Sequence, residues 1–287
     1  MIDLHTHSSA SDGTLHPAQL IEQARQQGLS ALALTDHDTI AGLEEAKQEA
    51  TKSTFRFIPG VEIEVTWEPG EFHLLGLGIY HPGSAFLEAL AELAHLREMR
   101  NLKIIERMQE WNIQVTYEDI VSLSGGHSVG RPHFASLLVK RGLVKNREQA
   151  FSQYLGRGRP FYIPKEGMDF RRAVQAIKEA GGIAVLAHPM SLYVAWGHLP
   201  TLIKGLKDQG LNGIEAWHPT AKVRSCKRLE DLGKSLGLCI TAGSDFHGET
   251  RPDRKLGITA GNVKIDEAVL AAIPALQEEN IPRVHGI

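Results

Sequence analysis

The sequence predicts an α/β protein, built as a closed or nearly closed barrel of about seven strands with a helical insertion. Short apolar runs alternate with amphipathic helical patterns, which is typical of βα units around a parallel sheet. Several of the apolar runs end on a histidine, and βα barrels carry their active sites at the carboxyl ends of the strands. One long stretch, residues 84–168, has helical periodicity and no strand pattern.

The predicted strands are short and rich in apolar residues, and the second one begins with the unbroken apolar run typical of a strand buried on both faces. They cover residues 2–7, 31–37, 55–65, 71–80, 183–189, 213–219 and 239–247. Helical patterns occupy about 16–28, 41–50, 169–180, 199–209 and 221–236. An open doubly wound sheet is the alternative, but its ligand sites gather at one switch point. Candidate ligands here follow nearly every strand, which favours the barrel.

The insertion begins with a long helical run, residues 84–111, and continues with shorter ones at about 116–123, 132–141 and 146–155. We therefore divide the chain into a discontinuous barrel domain, residues 1–83 and 169–287, and an insertion, residues 84–168. We expect the insertion to contribute to substrate binding.

The bulk composition limits the possible partners. The 287 residues, 42% hydrophobic, suffice for one large core, and the net charge is −3. Nothing global indicates duplex DNA or a membrane as partner, so an anionic ligand must be bound by a local cluster. Two cysteines, Cys226 and Cys239, exclude a disulfide scaffold and favour the cytoplasm. We see no signal-peptide pattern and no apolar run near the roughly 20 residues that span a bilayer, and we expect a monomer.

Polar residues near the ends of the predicted strands form the candidate metal site. His5 and His7 are two apart in a strand, so both imidazoles point to the same face. The full set is His5, His7, Asp12, His37, Glu62, His73, His188, Asp245 and His247. Six imidazoles and three carboxylates are too many for one tetrahedral site and suit two or three metals with a bridging carboxylate. The imidazole content favours manganese, iron or zinc over magnesium or calcium.

Five motifs in the chain occur together and in order. They are Asp3-Leu4-His5-Thr6-His7-Ser8 with Asp12-Gly13, Leu34-Thr35-Asp36-His37-Asp38, Gly60-Val61-Glu62, Leu186-Ala187-His188-Pro189 and Gly243-Ser244-Asp245-Phe246-His247. With them the chain resembles the PHP (polymerase and histidinol phosphatase) superfamily of metal-dependent phosphoesterases. The insertion segment Ser128-Val129-Gly130-Arg131-Pro132-His133-Phe134 resembles a narrower branch that acts on nucleoside 3′,5′-bisphosphates and 5′-phosphorylated RNA ends.

The resemblance implies a distorted seven-stranded (β/α)7 barrel with a trinuclear centre, with manganese as the first choice of metal and iron or zinc as alternatives. His5, His7, Glu62 and Asp245 would hold one metal, and Glu62 would bridge to a second that His73 and His188 complete. The third would lie between Asp12, His37 and His247. Phosphoester hydrolysis needs a nucleophile at neutral pH. When a water bridges two metals, its pKa falls from about 15.7 toward about 7, so hydroxide becomes available. No Ser or Cys nucleophile is required.

Recognition of the phosphate and nucleotide must come from other residues. Arg131 is the first choice, because Pro132 fits the first turn of a helix and a helix N-terminus favours anions. Its guanidinium could hold a phosphate by two hydrogen bonds, although an ordinary solvated cap residue is the alternative. His133 is a weaker candidate for substrate binding. His218 is a candidate phosphate ligand or general acid, with a satisfied core histidine as the alternative.

Several residues have weaker claims. Arg157, Arg159 and Lys165 form a basic run, and these residues and His198 are candidate substrate contacts, although such runs are usually solvated. We expect Glu64 to support a ligand rather than to be one. Asp36 and Asp38 are expected to orient His37 or to cap the next helix. Three tryptophans could stack on a base, although core packing is the simpler interpretation; they are Trp67, Trp196 and Trp217.

The favoured function is release of the 3′-phosphate from a nucleoside 3′,5′-bisphosphate, giving the 5′-monophosphate. The same site could remove the 5′-terminal nucleotide of a short 5′-phosphorylated RNA, because both substrates place a 5′-phosphate beside a scissile 3′-ester. The alternatives are a phosphatase of the histidinol-phosphate type and a metal-binding module without catalysis.

Overall fold

The computed structural model describes residues 1–123 and 129–277. A seven-stranded sheet follows the order of the chain. Its strands are β1 (Ile2–Thr6), β2 (Ala31–Leu34), β3 (Arg56–Val65), β4 (Phe72–Leu77), β5 (Ile183–Leu186), β6 (Gly213–Trp217) and β7 (Cys239–Ala242). A parallel bridge between Thr6 and Phe246, just beyond β7, closes the sheet on itself. The predicted α/β barrel is confirmed.

The fourth strand runs against its neighbours. β4 pairs antiparallel with both β3 and β5, whereas the other strand pairs are parallel. The prediction of a wholly parallel sheet is therefore wrong. The physical reason is the connection between β3 and β4, residues 66–71, which is too short for the crossover of a dozen or more residues that parallel neighbours require. The amino end of β4 consequently lies with the carboxyl ends of the other six strands, at the end of the barrel that we call the mouth.

Helices cover the outside of the barrel. They are α1 (Pro17–Gln26), α2 (Leu43–Ala50), α7 (Phe170–Glu179), α8 (Leu199–Asp208), α9 (Val223–Ser235) and α10 (Glu267–Ala271), and a small hairpin, β8 (Ile258–Thr259) and β9 (Val263–Lys264), precedes α10. Each larger helix buries one stripe; α7, for example, buries Phe170, Ala173 and Ile177. No helix of the described residues is long and apolar enough to cross a membrane.

The insertion is helical, as predicted. It contains α3 (Ser84–Glu110), α4 (Tyr117–Leu123), α5 (Arg131–Lys140) and α6 (Arg147–Ala150), which continues as a π-helical turn, Phe151–Leu155. Ser128, the first residue of the insertion motif, lies outside the described residues.

The long helix α3 belongs to two hydrophobic cores. Its first half packs Phe86 and Leu90 into the barrel core beside Ile63. Its second half packs Ile104 into a separate core of the insertion, with Phe134 fully buried there. α3 therefore connects the insertion to the barrel, and the division of the chain at residues 83 and 168 stays a prediction.

Candidate metal centre

All nine predicted ligands meet at the mouth of the barrel. Three of them lie within strands: His5 in β1, Glu62 in β3 and His73 in β4. The other six come soon after the ends of β1, β2, β5 and β7. His73 lies there because β4 is antiparallel, and in the register of the sheet it is opposite Glu64.

Glu62 is at the centre of the cluster and is 1% exposed. Its Oε2 atom lies 3.4 Å from His5 Nε2, 3.2 Å from His7 Nε2 and 3.0 Å from His37 Nδ1. Its Oε1 atom faces a second group, at 2.8 Å from His73 Nδ1 and 3.0 Å from His188 Nε2. The two oxygens of one carboxylate therefore face two separate sets of imidazoles.

Two further carboxylates complete the cluster. Asp245 Oδ1 lies 3.5 Å from His5 Nε2 and 3.3 Å from His7 Nε2. Asp12 Oδ1 lies 3.2 Å from His247 Nε2 and 3.9 Å from His37 Nε2. Through these three carboxylates the nine side chains form one connected cluster, in which every linking contact is 3.9 Å or shorter.

The nitrogen and oxygen atoms of the cluster are better placed to bind metal ions than to form hydrogen bonds with one another. His7 Nδ1, Asp12 Oδ1, Glu62 Oε2 and His247 Nε2 are buried and have no hydrogen-bond partner among the described residues, although buried polar atoms normally have one. His5 Nε2 and His7 Nε2 face each other at 3.1 Å. Several groups of three or four such residues have ligand atoms within 4.8 Å of one another, a spacing that can surround a cation. Mixed imidazole and carboxylate donors fit transition metals.

The electrostatics of the cluster keep its carboxylates charged. Burial alone would raise the pKa of Glu62, but the imidazoles of His37, His73 and His5 hold that pKa well below its ordinary value. Burial likewise opposes the charge of His73, but the carboxylates of Glu64 and Glu62 outweigh it and raise the pKa of His73 to about 10. The carboxylates thus remain anionic at neutral pH, as a cation site requires.

Glu215, in β6, contacts the His5 imidazole and the backbone of His188. Its Oε1 atom accepts a hydrogen bond from His5 Nδ1 at 3.0 Å, and its Oε2 atom accepts one from the backbone N–H of His188 at 2.8 Å. An acceptor on the far nitrogen fixes the tautomer of a ligating histidine and raises its basicity. Sequence reasoning missed this residue, although a glutamate within an apolar strand was a visible anomaly.

Glu64 supports His73 as expected, through a 2.9 Å contact between its Oε2 atom and His73 Nε2. The prediction that Asp36 or Asp38 caps the next helix is wrong, and their effect on the His37 ring stays a prediction. Asp36 accepts hydrogen bonds from Ser8 and Ser11 and so shapes the loop that carries Asp12. α2 begins after Gly42 without a side-chain cap.

Asp38 joins the barrel to the insertion. Its Oδ1 atom accepts a hydrogen bond from the backbone N–H of Glu64 at 2.9 Å, and its carboxylate pairs with Arg97 of α3. The carboxylate that follows His37 in the chain is therefore occupied by structural contacts.

His218 is buried beside the cluster with both ring nitrogens occupied. Its Nδ1 atom accepts from the Thr220 backbone N–H at 3.3 Å and lies 2.6 Å from the Thr220 hydroxyl, an arrangement that places the ring proton on Nε2, 3.2 Å from Asp245 Oδ2. Arg254 donates to the same Oδ2 atom at 2.8 Å. Arg254 is 4% exposed, and sequence reasoning missed it because no local pattern distinguishes it from a surface arginine.

Arg131 starts α5 as predicted, but its guanidinium already has partners. It pairs with Glu71 Oε1 at 3.1 Å and lies over the rings of Phe151 and Tyr162. Because Glu71 is two residues before His73, this pair links the insertion to the mouth. His133 caps α5, with Nδ1 accepting from the Gly130 N–H at 3.0 Å.

The other predicted substrate contacts differ in position. Lys165 is at the cluster, where its Nζ atom pairs with Glu64 and lies 3.4 Å from His73 Nε2. Arg157 is exposed and pairs with Glu68 at 2.6 Å, and Arg159 is exposed. His198 is exposed immediately before α8, and in the described part of the chain its side chain makes no hydrogen bond or ion pair with the cluster.

A cavity of about 400 Å³ lies between the insertion and the cluster. Asp12 and His247 form its cluster side, and Pro132 lines it from α5. Arg147, which donates to the Ser136 hydroxyl, and Arg251 add two cationic side chains to its wall. Glu148 and Asp253 line the same cavity, so its wall carries charges of both signs beside the candidate metal centre.

The fold and the site together define a class, a barrel whose mouth carries a cluster of imidazoles and carboxylates suited to several metals. A family model described as the PHP domain matches residues 3–165, more than half of the chain. The chain belongs to the PHP domain family.

Individual relatives cover nearly the whole chain. A 5′-3′ exoribonuclease of Haemophilus influenzae is 37% identical over 85% of this chain and 89% of its own length. A 3′,5′-nucleoside bisphosphate phosphatase of Chromobacterium violaceum is 34% identical over 90% of this chain and 91% of its own. A solved structure from Bifidobacterium adolescentis, described as a candidate metal-dependent phosphoesterase, is 29% identical with a TM-score of 0.82, covering 96% of each chain.

Proposed function

We propose that this protein is a metal-dependent phosphoesterase that removes the 3′-phosphate from nucleoside 3′,5′-bisphosphates. The same site would release the 5′-terminal nucleotide from short 5′-phosphorylated RNA. The relatives named as a bisphosphate phosphatase and as an exoribonuclease support both substrates. The observation that carries the proposal is the convergence of nine potential ligands at the mouth, beside a cavity that Arg147 and Arg251 help to line.

Three groups of residues would hold the metals. His5, His7, Glu62 and Asp245 form the first, Glu62 with His73 and His188 the second, and Asp12, His37 and His247 the third. Divalent ions bound there would neutralise charge on the phosphoryl oxygens and acidify a water for attack on phosphorus. Manganese remains the first choice, with iron or zinc as alternatives.

The cationic side chains would bind and orient the substrate. Arg147 and Arg251 line the cavity and would attract its phosphates. Lys165 lies at the opposite side of the cluster, where Glu64 holds its ammonium beside His73. We propose that Arg131 acts mainly by holding α5 against the mouth, because its guanidinium already pairs with Glu71. His133 caps α5 through Nδ1, and its contact with substrate stays a prediction.

His218 would orient Asp245. Its Nε2 proton is directed at Asp245 Oδ2, and burial lowers the pKa of the imidazole, which keeps the ring neutral. Its predicted role as general acid stays a prediction, as do substrate contacts for Arg157 and His198. The cytoplasmic location and the monomeric state also remain predictions.

A substrate panel with Mn²⁺ tests the proposal. It would compare a nucleoside 3′,5′-bisphosphate, a 5′-phosphorylated dinucleotide, histidinol phosphate and sugar phosphates by kcat/KM. We expect the first two to be hydrolysed well and the others poorly. Equal turnover of sugar phosphates, or preference for histidinol phosphate, would contradict the nucleotide specificity. Metal binding without hydrolysis of any substrate would contradict catalysis.

A further inference from the structure

A cationic and aromatic surface borders the mouth beside β5 and β6. Part of it comes from the connection between β5 and α8, and part from the first turns of α9. We call it the basic-aromatic surface, and it consists of Tyr193, Trp196, Lys222, Arg224, Lys227 and Arg228. The four cationic residues and Tyr193 are exposed, and Trp196 is half-buried.

The surface continues directly from the candidate metal centre. His188 precedes Tyr193 by five residues, and its Nδ1 atom lies 2.9 Å from the Ser191 hydroxyl in the same connection. His218 precedes the first residue of α9 by five residues, and the two imidazoles are 5.1 Å apart. A polymer whose end lies in the centre can therefore pass onto this surface.

The surface offers flat groups for stacking. The Arg228 guanidinium lies over the Trp196 ring, 3.9 Å from its centroid, in a cation–π arrangement. Tyr193 is 75% exposed and has a left-handed backbone, with φ 52 and ψ 33, which is unfavourable for a bulky side chain. The preceding peptide is held because Trp67 Nε1 donates to Leu192 O at 3.1 Å. The fold thus maintains an aromatic ring in solvent at a cost in backbone energy.

The cations of the surface make no close ion pair among the described residues, although Glu230 is near enough to Lys227 for an electrostatic interaction. Lys222, Arg224, Lys227 and Arg228 lie at the N-terminus of α9, where the helix dipole favours acidic groups, and the first turn contains none. Glu230 instead contacts Lys234 at 2.5 Å and accepts from Trp217 at 2.7 Å. Across residues 1–123 and 129–277, none of the four cations forms an ion pair within 4.0 Å. Cations at this end of α9 do not stabilise the helix, and the four positive charges are available to a polyanion.

We propose that the basic-aromatic surface binds the nucleotides on the 3′ side of a 5′-phosphorylated single-stranded RNA whose 5′ end occupies the metal centre. The inference rests on the proposed function and names the part of the molecule that selects RNA over a mononucleotide. Cations that follow a phosphate backbone and flat groups that stack on bases are the two features of single-strand binding sites. A duplex, with its bases already stacked, does not match the aromatic groups, and a nucleoside bisphosphate ends before it reaches them.

Substitution of the stacking residues tests this inference. Tyr193→Ala and Trp196→Ala would be compared with the wild type on a nucleoside 3′,5′-bisphosphate and on 5′-phosphorylated RNA of two and six nucleotides. We expect kcat/KM for the six-nucleotide RNA to fall by roughly 5- to 100-fold for each aromatic ring removed, while the bisphosphate is hydrolysed as before. Tyr193→Phe keeps the ring, so it should retain the wild-type rate on all three.

The charges are tested separately by salt dependence. Lys222→Ala with Arg224→Ala should reduce the slope of log kcat/KM against log salt for the six-nucleotide RNA. The reduction should be about 0.7 for each phosphate that the variant no longer neutralises. Lys47→Ala, an exposed cation on α2, is the matched control and should leave that slope unchanged.

The inference is overturned if these variants hydrolyse the six-nucleotide RNA at the wild-type rate. It is also overturned if their kcat/KM falls equally for the bisphosphate and for the RNA. It is also overturned if the wild-type protein hydrolyses the bisphosphate but shows no gain with RNA length. In that case the phosphoesterase function stands. Failure of the wild type on every substrate would instead contradict the proposed function itself.

Discussion

Glu62 shows how one side chain organises the centre. Its two oxygens face different sets of imidazoles, and it is almost completely buried. The nine side chains of the cluster could be selected from the sequence because each lies in or soon after an apolar run, and their role as metal ligands stays a prediction. Glu215 was not singled out because its partner His5 lies 210 residues away in the chain. Arg254 was not singled out because no local pattern distinguishes it from a surface arginine, although Asp245 is only nine residues away.

Glu215→Gln tests whether the hydrogen bond from His5 to Glu215 strengthens metal binding. The amide can still accept from the His188 N–H but no longer gives the His5 ring an anionic acceptor, so we expect Mn²⁺ affinity to fall about 10- to 100-fold. Calorimetric titration of chelated protein with Mn²⁺ measures this. Glu44→Gln, exposed on α2, is the control and should bind as the wild type does. An unchanged affinity for Glu215→Gln would show that this hydrogen bond does not influence the metals.

Arg254→Met tests the buried cation beside Asp245. Removing one partner of a buried ion pair typically costs about 3 kcal/mol or more, because the remaining charge is left uncompensated. We expect the free energy of unfolding in urea, with chelator present, to fall by about that amount. Arg251→Met changes an exposed arginine and should change the free energy of unfolding by less than about 0.5 kcal/mol. Equal stability of both variants would contradict the structural role of Arg254.

At the scale of elements, strand direction decides which residues reach the mouth. Sequence periodicity located all seven strands, since each is a short apolar run. It did not reveal that β4 runs antiparallel to its neighbours, because the apolar pattern of a strand does not depend on the direction of the strand. Only the short connection from β3 indicates the hairpin. The reversal brings His73 to the mouth from the amino end of its strand, where the pattern of the other strands would not place it.

The close approach of β1 to the end of β7 leaves no room for a side chain at Gly243. A Cβ there would lie 2.7 Å from Glu215 Oε1 and 3.0 Å from the His5 backbone nitrogen, besides overlapping the His5 Cβ atom. We expect Gly243→Ala to destabilise the protein by about 1–3 kcal/mol through overpacking and to weaken Mn²⁺ binding.

Gly205→Ala is the matched control for this substitution. Gly205 lies within α8, and no described atom lies within 4 Å of an added Cβ, so alanine should stabilise by about 1 kcal/mol. Thermal unfolding and Mn²⁺ titration of both variants measure the two effects. If Gly243→Ala behaved like Gly205→Ala, the close approach of β1 to the β7 end would be contradicted.

At the scale of the whole molecule, the insertion and the barrel jointly form the entrance to the centre. α3 shares both cores, Arg97 pairs with Asp38, and Arg131 pairs with Glu71. The sequence indicated the helical insertion but not these pairs, because each depends on the docking of one unit against the other. It likewise could not show the cavity lined by Arg147 and Arg251, which exists only once both units are folded.

The central claim is that the nine side chains at the mouth bind divalent metals that support phosphoester hydrolysis. The most direct measurement is hydrolysis of a nucleoside 3′,5′-bisphosphate by chelated protein during titration with Mn²⁺, for the wild type and for Glu62→Gln. We expect wild-type activity to be absent in chelator and to return with Mn²⁺, and Glu62→Gln to lose more than the roughly 10- to 100-fold that removal of an outer partner causes. Full activity in chelator, or a Glu62→Gln variant as active as the wild type, would contradict the account.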